Sequence, residues 1–152
     1  MRFRVGRAVI PMPNTAARRA ALPMHDLHHI ATGYDASWTG EAEIAAWELG
    51  AGCGRYAAAW LLNLAAFPLG LAIAPRRTWR AFQRGRSSRA LYDGTWDAGW
   101  LDASVGELRS RLGLRDAPRP ARPRDVLLFA ACLLPAVAVI AALVLLANML
   151  LT

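Results

Sequence analysis

The chain has 152 residues, 55% of them hydrophobic, with a mean hydropathy of +0.23 and a formal net charge of +7. That apolar content is high for a soluble domain, and the length leaves room for one modest domain with extra segments. Every basic residue is arginine, and beside so much apolar sequence the positive balance points to anionic membrane lipids and away from nucleic acid. Cys53 and Cys132 form no CxxC pair, so neither a disulfide framework nor a zinc knuckle follows.

Met1–Pro13 reads as a basic, irregular N-terminus with no apolar core of a signal peptide. Residues 15–21 predict a helical turn capped by Asn14 or Thr15. After Pro23 a short helix covers residues 24–31, and Gly33 stops it as a left-handed cap. Thr39 caps a second helix with Glu41 and Glu43 in its first turn, Glu43 facing solvent.

Tyr56–Ala74 carries no charge, but Asn63, Pro68 and Gly70 favour a buried or interfacial helix over a span. Arg76, Arg77, Arg80, Arg84, Arg86 and Arg89 follow, interleaved with Trp79 and Phe82, the composition of a headgroup-level surface. Residues 104–114 form a short amphipathic helix, and residues 115–124 a Pro/Arg linker.

Val126–Thr152 contains no charged residue. As one helix kinked at Pro135 it is roughly 40 Å long, enough for a hydrocarbon core of about 30 Å. Arg115, Arg119, Arg122 and Arg124 precede it, so the expected protein is a single-pass, C-terminally anchored one in a bacterial-type inner membrane, its main domain cytoplasmic. The predicted fold is all-α, five to six helices and no sheet. Its parts are the N-terminus 1–13, a compact membrane-associated helical domain 14–114, the linker 115–124 and a transmembrane helix 125–152.

All three histidines lie in His25-Asp26-Leu27-His28-His29. On a helix, His25, Asp26 and His29 share roughly a 100° arc, His28 points away, and Glu41 comes in from the next element. Two imidazoles and two carboxylates suit Zn²⁺, Fe²⁺ or Mn²⁺. The competing reading is a solvated helix end. The HxxHH pattern of membrane di-iron enzymes fits the letters but needs several such boxes. On the second helix Ala45, Glu48, Gly52 and Arg55 share the face of Glu41. Glu48 is therefore a candidate to support the metal ligands or donate a proton, and Arg55 to receive a substrate carboxylate.

His25-Asp26-Leu27-His28-His29, eleven residues and then Glu41 resembles the HDxxHx₁₁E signature of the coenzyme Q biosynthesis protein 4 family. The resemblance extends over roughly residues 14–114, through Gly40-Glu41, Trp47-Glu48, Leu61–Leu71 and the Val105–Leu114 segment. It implies an all-α, membrane-associated protein with a divalent metal on His25, Asp26, His29 and Glu41, zinc first and iron second. It also implies decarboxylation, with or without hydroxylation, at C1 of a polyprenylated hydroxybenzoate in ubiquinone synthesis. The implied partners are a polyprenylated aromatic lipid, anionic membrane lipids and a homodimer or biosynthetic complex. The alternative from another class is a lipid-binding scaffold for such a complex, with a structural metal. The chain departs from the family in its short N-terminus and its C-terminal span.

Overall fold

The computed structural model describes residues 2–5, 8–11 and 15–151, with residues 2–5, 8–11, 143, 150 and 151 described by backbone alone. Seven α-helices carry the fold among the described residues. A two-stranded antiparallel hairpin precedes them: β1 (Arg2–Val5) pairs with β2 (Ala8–Pro11), Phe3 opposite Ile10. The N-terminus is therefore not irregular, and the expectation of no sheet fails at this hairpin. Phe3 and Val5 alternate with arginines in β1, and β2 is apolar throughout, which suits a strand pair.

α1 (Ala16–Thr32) runs unbroken through Pro23, where two shorter elements were expected. Thr15 Oγ1 caps it by accepting from Arg18 N–H at 3.2 Å, and the alternative cap Asn14 lies outside the described residues. Gly33, at φ 77°, ends it, its N–H returning to the His29 carbonyl. Ser37, and not Thr39, caps α2 (Trp38–Ala51) by accepting from Gly40 N–H. Gly52, at φ 100°, stops α2.

α2 is the central helix. From Gly40 to Gly50 every residue except Glu41 is buried. Its small residues let α4 (Pro75–Gly85) cross it backbone to backbone: a Cβ on Gly85 would stand 2.1 Å from the Trp47 carbonyl oxygen. Glu43, expected in solvent, is buried under α4 and takes a bidentate pair from Arg77, at 3.0 and 2.6 Å.

α3 (Ala57–Ile73) turns Ala59, Asn63, Phe67 and Gly70 inward and leaves Trp60, Leu61, Leu69 and Ile73 exposed. Single-turn 3-10 segments at Leu91–Asp93 and Ala98–Leu101 lead to α5 (Val105–Arg111). A Ser104/Glu107 capping box starts α5.

The apolar C-terminus is α6 (Pro123–Ala131) and α7 (Leu133–Leu151), one path broken at Cys132. Pro135 has no N–H for the Ala131 carbonyl, which places the break a turn before the proline. Pro123–Met149 is long and apolar enough to cross a membrane, with almost all of its side chains exposed. It nevertheless docks on the domain. Phe129 sits among Phe67, Trp79 and Phe82 at 4.9–5.1 Å between ring centres, and Ala136 is fully buried, with α7 packed along α3. Asp125, 1% exposed, accepts from Arg86, Arg119 and the Arg122 N–H. Arg86 also donates to the Gly50 carbonyl at 3.0 Å, joining the start of α6 to the end of α2.

Candidate metal centre

His25 and His29 stand one turn apart on α1, so their rings project from the same face. Their Nε2 atoms approach to 3.2 Å. Glu41, in the first turn of α2, completes the cluster: Oε2 lies 3.7 Å from His25 Nε2 and Oε1 3.6 Å from His29 Nε2. One ligand atom from each of the three falls within 4.8 Å of the others.

The hydrogen bonds behind the rings fix their tautomers. His29 Nδ1 lies 3.0 Å from the Tyr34 carbonyl oxygen, which can only accept, so Nδ1 carries the proton. His25 Nδ1 lies 3.0 Å from Glu48 Oε1 and donates to that carboxylate. Both Nε2 atoms are then left with lone pairs facing each other, and a positive charge must sit between them. A proton serves in the ion-free protein. Burial opposes charging His25, but hydrogen bonds to Glu41 and Glu48 outweigh it and lift its pKa to about 10. His29 moves up as well, against burial, through its bond to Glu41. Bonds from His25 and His29 in turn bring Glu41 down to about 2.

A divalent ion serves equally. A tetrahedral ion with bonds of about 2.0–2.1 Å would hold its ligand atoms about 3.3 Å apart; the two Nε2 atoms stand at 3.2 Å, and each faces a different Glu41 oxygen, at 3.7 and 3.6 Å. Two imidazole nitrogens and one carboxylate suit Zn²⁺ or Fe²⁺, and three protein ligands leave a coordination position open.

Asp26 does not join them. It is exposed and outside the cluster, one helical step round from His25 on a short side chain.

Glu48 is fully buried and is the hub behind the site. Besides His25 it accepts from His28 Nδ1 at 2.7 Å, Asn63 Nδ2 at 2.6 Å and Tyr92 Oη at 3.1 Å. Burial disfavours its charge, yet the bonds from His25 and His28 hold its carboxyl well below the ordinary range. Four side-chain donors converge on this carboxylate, favour its charged form and leave it behind His25 as the group that orients the ring. Burial and the Glu48 charge push the Tyr92 phenol up, so it stays a donor. The same two causes push Cys53 to about 12.

His28 is fully buried against Trp47 and Tyr92, and its Nε2 accepts from Leu91 N–H at 2.9 Å. Sequence spacing correctly turned it from the metal face but did not reveal this role. The available signals are Asn63, a lone amide in an apolar helix, and the Leu91-Tyr92 pair that shares in the family resemblance. Arg55 leaves the proposed stripe because α2 ends at Ala51. It is exposed over the Tyr56 ring and borders a hollow of about 370 Å³ with Gly54, Tyr92 and Gly94.

No family model, curated protein or solved structure matches this chain.

Proposed function

We propose that this is a membrane-anchored, metal-dependent protein of ubiquinone-type biosynthesis that removes the C1 carboxyl group of a polyprenylated hydroxybenzoate. The observation that carries the reading is the His25/His29 Nε2 pair facing Glu41, a three-residue cluster with no fourth protein ligand among the described residues. An open position is what catalytic sites keep and closed structural sites lack. The HDxxHx₁₁E resemblance supplies the substrate class.

In this reading His25, His29 and Glu41 hold the ion, Zn²⁺ before Fe²⁺, and Asp26 is spared. The ion would supply Lewis acidity to a substrate oxygen; cleavage of the C1–carboxyl bond leaves its electron pair on the ring, CO₂ departs, and water at the open side of the site returns a proton to C1. Glu48 keeps the His25 Nδ1–H occupied so that Nε2 stays directed at the ion. Glu41, half-exposed, marks the open side of the site. Residues 123–149 would cross the inner membrane with the helical domain on the cytoplasmic side, the side that the arginines before the span favour.

The second reading is a lipid-binding scaffold whose metal is structural. It is favoured by the depth of the Glu48 network, which ties the ligands into the core.

Elemental analysis of the purified chain tests the metal. One zinc or iron per chain is expected in the wild type and in Asp26→Asn, with loss in Glu41→Ala. A wild type without stoichiometric metal overturns the central claim. Release of labelled CO₂ from a carboxyl-labelled polyprenyl hydroxybenzoate then separates the readings: a metal-loaded protein that releases none is the scaffold.

A further inference from the structure

The break between α6 and α7 borders an apolar groove of about 520 Å³. Leu49, Leu64 and Phe82 form its inner side, and Leu128, Ala131 and Pro135 its outer side. Arg86 is its charged lining residue, and that guanidinium is engaged by Asp125 and the Gly50 carbonyl. The outer side is thus made by the C-terminal helix, held in place by the buried Asp125 at its start and Ala136 beyond the break. The opposite surface of that helix is exposed and apolar, with Leu127 at 70%, Leu134 at 80% and Leu145 at 64%. Trp60, at the groove edge, is also exposed.

We infer that this groove receives one hydrocarbon chain of a bilayer lipid, entering sideways past the α6–α7 break, and that the C-terminal helix is the groove's wall and no mere tether. The inference rests on the reading that residues 123–149 cross a bilayer. Given that, three observations fix the occupant. The wall is continuous with surface that faces hydrocarbon. The lining offers no free charge to an aqueous ligand. The volume lies within the range of lipid and cofactor pockets, about 300–1,000 Å³. A flexible tether would leave Asp125, Phe129 and Ala136 in solvent, whereas Asp125 and Ala136 are buried and the Phe129 ring packs against the core.

The test uses the full chain in nanodiscs of phosphatidylglycerol bearing a diazirine at the end of one acyl chain, with crosslinks mapped by mass spectrometry. Crosslinks are expected at Leu49 and Leu64, inside the groove, as well as at Leu134 and Leu145. Filling the groove with Ala131→Trp, or with Leu64→Trp if the first fails to fold, should lower crosslinking at Leu49 about tenfold and leave Leu145 unchanged. Crosslinks confined to Leu134 and Leu145, or insensitive to filling, overturn the inference while leaving the span intact. Extraction by alkaline carbonate reads the span itself: a chain released into the soluble fraction overturns the membrane reading from which the inference starts.

Discussion

Replacing Glu48 by glutamine tests the link between the buried network and the metal centre. The side chain keeps its shape but loses its charge and turns one acceptor into a donor. Four side chains donate to Glu48, so the new amide must face a donor, either Asn63 Nδ2 at 2.6 Å or the cluster of His25, His28 and Tyr92. One such buried donor–donor contact costs about 1–3 kcal/mol, and each remaining bond from a histidine falls from about 1.5–3 kcal/mol toward about 1 kcal/mol. A total near 3 kcal/mol follows, which lowers the melting temperature by roughly 6–12 °C in a chain of this size. Loss of the carboxylate behind His25 should also weaken zinc binding about 10–100-fold. Circular dichroism melts and zinc titration against a chelator measure the two effects in detergent. Wild-type zinc affinity in a folded Glu48→Gln protein would refute the argument that Glu48 sets the His25 ring.

Zinc binding should release protons. With its pKa raised from 6.5 to about 10, His25 is protonated in the ion-free fold at pH 7. Its stabilising effect is full below pH 6.5 and lost as pH rises toward 10, while that of Glu41 is lost as pH falls from 4.5 toward 2. The apparent zinc affinity should therefore climb with pH from 7 toward 10, and binding enthalpy at pH 7 should depend on the buffer's ionisation enthalpy; a buffer-independent enthalpy contradicts this. Asp125→Ala leaves Arg86 and Arg119 without their buried partner; both are partly exposed, so the cost should be about 2 kcal/mol, below the roughly 3–5 kcal/mol of a fully buried pair. Faster proteolysis within residues 115–124 should accompany it, and an unchanged cleavage rate would show that Asp125 holds nothing. Gly85→Ala drives a methyl toward the Trp47 carbonyl and should cost about 3 kcal/mol; a melting temperature equal to that of the wild type would show that α2 and α4 can separate freely.

The parts of this protein that could be read in advance are those governed by local spacing. His25 and His29 one turn apart, Gly33 after the last helical turn and the uncharged run from Val126 each act over a few residues. The remainder depends on contacts between distant segments. Tyr92 reaches Glu48 across 44 residues and Leu91 N–H reaches His28 across 63, and neither spacing carries a periodic signal. Arg55 falls off the helical stripe because Gly52, at φ 100°, ends α2 before it. Glu43 lies on the helix face away from Glu41, which spacing alone assigns to solvent, and the burial supplied by α4 is invisible at that level. Asp26 shares the arc of His25 and His29 on a helical wheel, yet it lies outside the cluster, because an arc carries no information on how far a side chain reaches.

The cluster joins α1 to α2 across the segment from His29 to Glu41, and α1 packs on α2 far less extensively than α3 or α4 does. An ion held there is a cross-link. Closing a loop of about 15 residues removes roughly 3 kcal/mol of freedom from the unfolded chain. Cys53 and Cys132 are both free thiols. The metal would thus do for this small domain what a disulfide does for a secreted one, and chelation would loosen α1 before any other helix.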